Sequence, residues 1–146
     1  MFKRANLPIQ VAKSQVSLAF LYAISGRLDD AKKELNLSQK VLLHNIENKY
    51  VFNINKACIH LLSGNFSNEI WTLLDDVEKC TRMRFDQIAI IINKLVLCIE
   101  TSDYVKGTYL QNKGLELLEL ESDRHIHAIF YYNCFVLNKA IASWSI

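Results

Sequence analysis

The strongest constraint in this chain is a step of 38 residues. Ser25-Gly26-Arg27-Leu28 matches Ser63-Gly64-Asn65-Phe66, and Ser102-Asp103-Tyr104 follows with Tyr104 in the place of Leu28 and Phe66. Leu28, Phe66 and Tyr104 are each 38 residues apart. Upstream of each turn the same step relates Val16, Ile54 and Ile92, then Ala19, Ala57 and Leu95. It also relates the pair Asn55-Lys56 to Asn93-Lys94. A period of this length marks an array of small supersecondary units, each of which buries its apolar face against its neighbours. The 146 residues then read as a single domain of three units, at about 11–47, 48–85 and 86–123, with a C-terminal half-unit at 124–146.

Each unit is predicted to hold two helices. The first is apolar nearly all round, at roughly Val11 to Ser25, Tyr50 to Leu62 and Asp86 to Glu100. Ile88-Ala89-Ile90-Ile91-Ile92 is the extreme case, and a helix with that pattern has neighbours on most sides. The second is more amphipathic, at Leu28 to Leu43, Ser67 to Cys80 and Tyr104 to Glu121. In the last of these Glu116, Glu119 and Asp123 share a face, with Leu115 and Leu118 on another. Composition agrees with an all-α chain. With 51% apolar residues, 4 glycines and Pro8 as the one proline, the chain has too few turn-formers for a β-sandwich and is too apolar for disorder.

The pattern Ala19, Tyr22, Gly26, Leu28, Ala31 resembles the tetratricopeptide repeat: small residue, aromatic, turn glycine, large apolar residue, small residue. Ala57, Gly64 and Phe66 repeat part of it, as do Tyr104 and Gly107, so the resemblance runs from about Val11 to Ile146. Glu69 and Leu95 stand where small residues are expected, and the family's terminal proline is missing from every unit. The step also exceeds the family's commonest length, so its longer-helix variants are the closer comparison. The resemblance implies an α-solenoid of about three helical hairpins plus a C-terminal helix. It further implies a concave groove, lined by the first helix of each pair, that holds extended or helical peptides of other proteins. An asparagine two positions before the small residue often contacts the peptide backbone in such repeats. Asn55, Asn93 and Asn133 occupy that place, and Ser17 replaces it in the first unit.

The expected partner-binding residues are therefore Val16, Phe20, Ile54, Asn55, Ile92, Asn93 and Asn133. An asparagine amide offers both a donor and an acceptor and can match a peptide bond. The alternative is that these amides bond to one another or to the neighbouring helix, because a buried amide must be satisfied somewhere. Lys56 and Lys94 lie about 100° further round their helices. They are expected to be solvated beside the groove, with capture of an acidic group as the alternative.

Other function classes find little support. The net charge of +2 is small and the basic residues are scattered in ones and twos (Lys3/Arg4, Lys32/Lys33, Arg82/Arg84), whereas nucleic acid calls for a clustered basic face. Cys58, Cys80, Cys98 and Cys134 form no metal-ligand spacing, and three of them sit in apolar runs as small hydrophobes. That usage suits a reducing, cytoplasmic setting. His44 and His60 look like ordinary helix positions, and His125 and His127 cannot share a helical face. No phosphate-binding glycine loop, nucleophile elbow or H-E-x-x-H occurs, and the acidic pairs Asp29/Asp30 and Asp75/Asp76 read as solvated faces. Neither enzymatic activity, a metal nor a cofactor is expected.

The apolar stretch Val16 to Ile24 behind Lys3 and Arg4 imitates a secretory signal, but it recurs 38 residues on and reads as a repeat helix. The apolar end, Ile126 to Ile146, is long enough to span a bilayer, yet His127, Asn133, Asn138 and Lys139 run through it and no span is expected. It is read instead as a final helix with one bare face, where Phe135 and Trp144 would support self-association. A homodimer through this helix, a partner, or continuation into a longer protein would cover that face. The leading expectation is a cytoplasmic protein-interaction module whose partner is another protein or peptide. The alternative is the sensor or regulatory arm of a larger signalling or transcription-regulating protein, binding a signalling peptide or a small ligand.

Overall fold

The structure, a computed structural model, describes residues 7–145 apart from the side chain at position 47. Lys3, Arg4 and the terminal Ile146 lie outside the described residues. Among the described residues there are seven α-helices and no strand: α1 (Leu7–Ile24), α2 (Leu28–Leu42), α3 (Ile46–Leu62), α4 (Asn68–Cys80), α5 (Arg84–Glu100), α6 (Tyr104–Leu118) and α7 (Arg124–Trp144). The chain is all-α.

Two helices start a turn earlier than the apolar pattern predicts, and capping chemistry explains both. Pro8 sits in the first turn of α1, where its missing N–H would have had no intrahelical acceptor. Asn45 caps α3, its side-chain oxygen accepting from the Asn48 N–H at 3.2 Å. Asp103 caps α6 in the same way through the Lys106 N–H. Asp123 caps α7, accepting from the N–H groups of His125 and Ile126 at 2.8 and 3.2 Å.

The 38-residue step reappears in the backbone. Gly26 and Gly64 both have φ +76°, and Ser102, at the same position of the third turn, has φ +57°. At each of the three turns this left-handed residue donates three residues back, to Ala23, Leu61 or Ile99. The next residue donates five back, from Arg27 to Tyr22, Asn65 to His60 and Asp103 to Cys98, at 2.8–2.9 Å. That pair of bonds is the Schellman helix stop. The hydroxyl just before the left-handed residue also bonds back by four residues each time, from Ser25 to Leu21, Ser63 to Ile59 and Thr101 to Leu97, at 2.7–2.8 Å.

The chain divides into two compact units, one up to Asn65 and one from Phe66. In the first, α1 and α2 form a hairpin and α3 packs on both. Its core is Ala12, Val16, Ala19 and Ala23 of α1, Ala31, Leu35 and Leu42 of α2, and Phe52 and Ile59 of α3. In the second, α5 and α6 form the hairpin, α7 packs on both, and α4 packs on α5. Its core runs through Ile88, Ile91, Leu95 and Cys98 of α5, Leu110 and Leu118 of α6, and Ile126, Phe130, Cys134 and Leu137 of α7.

The two hairpins correspond position by position over two steps. Ala12, Ala19 and Leu42 match Ile88, Leu95 and Leu118, all of them buried. Ala31 and Ser38 match Gly107 and Gly114, small residues buried on the second helix of each hairpin. At Gly114 smallness is required by α7: a Cβ there would lie 2.2 Å from the Phe130 ring. A Cβ on Gly107 would lie 2.9 Å from Leu137.

Candidate functional site

In the first unit a cleft of about 620 Å3 opens between α1 and α3. Lys13, Val16, Ser17, Phe20 and Leu21 line it from α1, Leu42 from the end of α2, and Asn48, Val51, Phe52 and Asn55 from α3. Its volume lies within the range of roughly 300–1,000 Å3 typical of binding sites. The small core residues of α1 explain how the cleft forms. Ala12, Ala19 and Ala23 let α1 lie close against its neighbours on one side, while Phe20 and Leu21 turn away and stay 37% and 59% exposed. Phe52, 1% exposed, forms the floor. Most of the wall is apolar, with four polar side chains along it, and Lys13 makes no ion pair among the described residues.

Three of the expected partner-binding residues, Val16, Phe20 and Asn55, meet in this cleft. Ile54 is 8% exposed and is not part of the lining. Ile92, Asn93 and Asn133 belong to the second unit, where Ile92 packs on the core and Asn93 is buried.

Of the two readings drawn from sequence, the bonds found differ from the structural one, because they run neither between the asparagines nor to a neighbouring helix. Asn55 donates its amide to the Val51 carbonyl, Asn93 to Ala89 and Asn133 to Ile129, all at 2.9 Å and all four residues back on the same helix. Ser17, at the first unit's equivalent position, donates to Lys13 with the same spacing at 3.4 Å. Each amide therefore satisfies one hydrogen locally. In Asn55 the side-chain oxygen and the second amide hydrogen have no partner among the described residues, so one donor and one acceptor remain on the wall of the cleft.

Lys94 is the clearest departure from expectation. It is 5% exposed rather than solvated. Its ammonium is 2.6 Å from Asp75 of α4 and also bonds Glu78 of the same helix. Lys113 of α6 reaches the other Glu78 oxygen at 2.7 Å. The Trp71 ring closes the cluster, with the Lys106 ammonium 3.6 Å from its centroid and that of Lys94 at 6.0 Å. Burial pushes the Glu78 carboxyl up, but hydrogen bonds from Lys113 and Lys94 outweigh it and hold the group below the usual carboxylate range. For Lys94 burial pushes down, and the bonds to Asp75 and Glu78 outweigh it and raise the ammonium above its ordinary value. Asp75, read from sequence as part of a solvated face, is thus an interhelical partner. Lys56, the repeat equivalent of Lys94, is half-buried and forms no ion pair among the described residues. The positions one step before Asp75 and Glu78 are Leu37 and Lys40, so the acidic partners are missing there.

No group of three His, Cys, Asp or Glu side chains among the described residues could hold a metal. Cys98 and Cys134 are buried, and burial is the main cause that pushes both thiols up to about 11. Cys58 is half-buried and also raised by burial, while Cys80 is exposed. On α7, Ile126, Phe130, Cys134 and Leu137 face the core. Phe135 and Trp144 are 63% and 76% exposed, and Trp144 meets Tyr104 edge-on at 6.3 Å. By length and composition alone, α1 is apolar enough to cross a membrane.

Against protein-family models, curated proteins and solved structures, the chain finds no match. The cleft itself therefore carries the functional reading.

Proposed function

We propose that this chain is a non-enzymatic, tetratricopeptide-like helical-repeat module and that it binds a segment of another protein in the cleft between α1 and α3. The observation that carries this reading is the meeting of Val16, Phe20 and Asn55 on one apolar cleft of about 620 Å3. Phe20 and Leu21 offer apolar surface to an incoming side chain. The free donor and acceptor of Asn55 suit the backbone on either side of it, a division between main-chain bonds and side-chain pockets that recurs in peptide recognition. The uncompensated Lys13 at the wall favours a segment with an acidic residue beside its apolar anchor.

The test is a screen of apolar-acidic peptides on the immobilised protein, followed by titration of the best binder by fluorescence anisotropy. Phe20→Glu should weaken binding by at least about tenfold, because it puts a carboxylate into the apolar wall. Asn55→Ala should weaken it by about 1 kcal/mol, the value of a typical hydrogen bond. Undiminished affinity in both variants would overturn the assignment. The size of the cleft also favours a second reading, a sensor arm for a small ligand of a larger regulatory protein. Stabilisation of the folded chain by small amphipathic acids, with no peptide binding, would select it.

A further inference from the structure

The cleft of the first unit has two unlike ends. α2 turns back along α1 and, after residues 43–45, α3 turns back along α2, so α1 and α3 run in the same direction. Both walls therefore begin at one end of the cleft, at Lys13 and Asn48, and finish at the other, at Leu21 and Asn55. Lys13 and Phe20 are seven residues apart on α1, as are Asn48 and Asn55 on α3, a rise of about 10 Å along each helix. A cation thus marks one end, and Phe20, Leu21 and the half-satisfied amide of Asn55 mark the other.

We infer, resting on the reading of the cleft given above, that its occupant is an extended acidic segment of another protein, with a carboxylate side chain three residues from a bulky apolar one. Lys13 takes the carboxylate, Phe20 and Leu21 take the apolar side chain, and Asn55 takes the peptide bond beside it. Extension follows from two observations. Asn55 keeps one donor and one acceptor without a partner among the described residues. An extended segment presents both kinds of backbone group, whereas the interior of a helix has already paired them. Three extended residues also advance about 10 Å, at roughly 3.3 Å each, which matches the separation of the two ends. A helical segment rises about 1.5 Å per residue and would need seven.

The carboxylate follows from charge. Among the described residues no acidic side chain lines the cleft, and Lys13 forms no ion pair. The charge of the whole chain is divided in the same sense. Residues 1–65 hold nine basic and four acidic side chains, a net of +5, whereas residues 66–146 hold eight and eleven, a net of −3, which together give the +2 of the chain. The half that carries the cleft therefore attracts an anionic segment and repels a basic one. A neutral segment would cover the Lys13 ammonium and leave it unpaired.

Isothermal titration calorimetry on the full chain tests the inference with peptides acetylated and amidated at their ends, so that a glutamate side chain is their one carboxylate. Each peptide holds one glutamate and one phenylalanine, three or seven residues apart and in either order, on a glycine-serine or an alanine background. A pair three apart on glycine-serine is expected to bind at least about fivefold more tightly than any pair seven apart. Replacing its glutamate by glutamine should weaken binding about fivefold, the upper range for a partly exposed ion pair. Lys13→Gln should cost the same, with little further loss when the two changes are combined. Lys13→Glu should reverse the preference, so that a peptide with lysine in place of glutamate becomes the tighter binder. Helical circular dichroism should be unchanged, because Lys13 is exposed. Raising the salt concentration should shrink the preference for glutamate over glutamine. Equal or tighter binding at seven residues apart, equal affinity for the glutamate and glutamine peptides, or a preference unmoved by Lys13→Glu would each overturn the inference and leave the peptide cleft standing. Failure of every peptide to bind, the one found by the screen included, would overturn the reading of the cleft and this inference with it.

Discussion

Ser102 holds the left-handed conformation that glycine holds at the two earlier turns, with φ +57° against +76°. A non-glycine residue there costs roughly 1 kcal/mol. Ser102→Gly should therefore stabilise the fold by about 1 kcal/mol and raise the thermal midpoint by about 3 °C. An unchanged or lower midpoint by calorimetry would contradict the reading of the third turn. Gly114 makes the opposite prediction. Alanine gains about 1 kcal/mol of helix propensity over glycine, but its Cβ would come within 2.2 Å of the buried Phe130 ring. Overpacking of that kind costs about 1–3 kcal/mol, so Gly114→Ala should be net destabilising in urea unfolding. The turns were legible because Gly26, Gly64 and the residues after them repeat in the sequence. The bonding of Asn55, Asn93 and Asn133 was not. Their spacing marks them as equivalent, but the bond to the carbonyl four residues back depends on side-chain torsions that spacing does not specify.

Among the helices, the attachment of α4 to α5 and α6 through charge is the feature that sequence pattern hid. Asp75 and Glu78 lie one turn apart on α4, yet their partners are 16 residues or more along the chain, at Lys94 and Lys113. Periodicity reports which face of a helix is polar, not which face meets a lysine of the next helix. Removing Glu78 leaves the buried Lys94 with Asp75 as its one ion-pair partner among the described residues and leaves Lys113 without one. Because Asp75 still compensates Lys94 and the side chains of Glu78 and Lys113 are 25% and 41% exposed, the expected cost of Glu78→Ala is about 1 kcal/mol rather than the larger figures for fully buried pairs.

The pH dependence follows from both directions of shift. Glu78 is held below its ordinary value of 4.5, so its contribution is present above that pH and is lost as pH falls through the lowered folded value. Lys94 is held above its ordinary value of 10.5, so its contribution is present below that pH and is lost as pH rises through the raised folded value. Urea midpoints of wild type and Glu78→Ala should therefore differ most between these limits and converge in acid. A gap of constant size down to pH 2 would contradict the ion-pair assignment.

Over the described residues as a whole, the 38-residue step identified the number, type and order of the helices. Their boundaries fell within about a turn of those observed, with Pro8 and Asn45 accounting for the early starts of α1 and α3. The division into two units between Asn65 and Phe66 was not legible, because it falls inside the second of the three repeats. The sequence does carry a mark there: Glu69 is exposed, whereas its equivalents Ala31 and Gly107 are buried. The expected binding residues divided along the same line. Val16, Phe20 and Asn55 came together because the first unit contains both helices that carry them, α1 and α3.

The most direct test of binding in that cleft is a methyl and side-chain amide NMR titration of the full chain with the peptide selected above. The resonances of Val16, Leu21, Val51 and the Asn55 amide should shift in saturable proportion to bound peptide, with those of Leu95, Leu110 and Leu137 unmoved. Saturable shifts confined to residues from Phe66 onward, with Val16 and Asn55 unchanged, would contradict it.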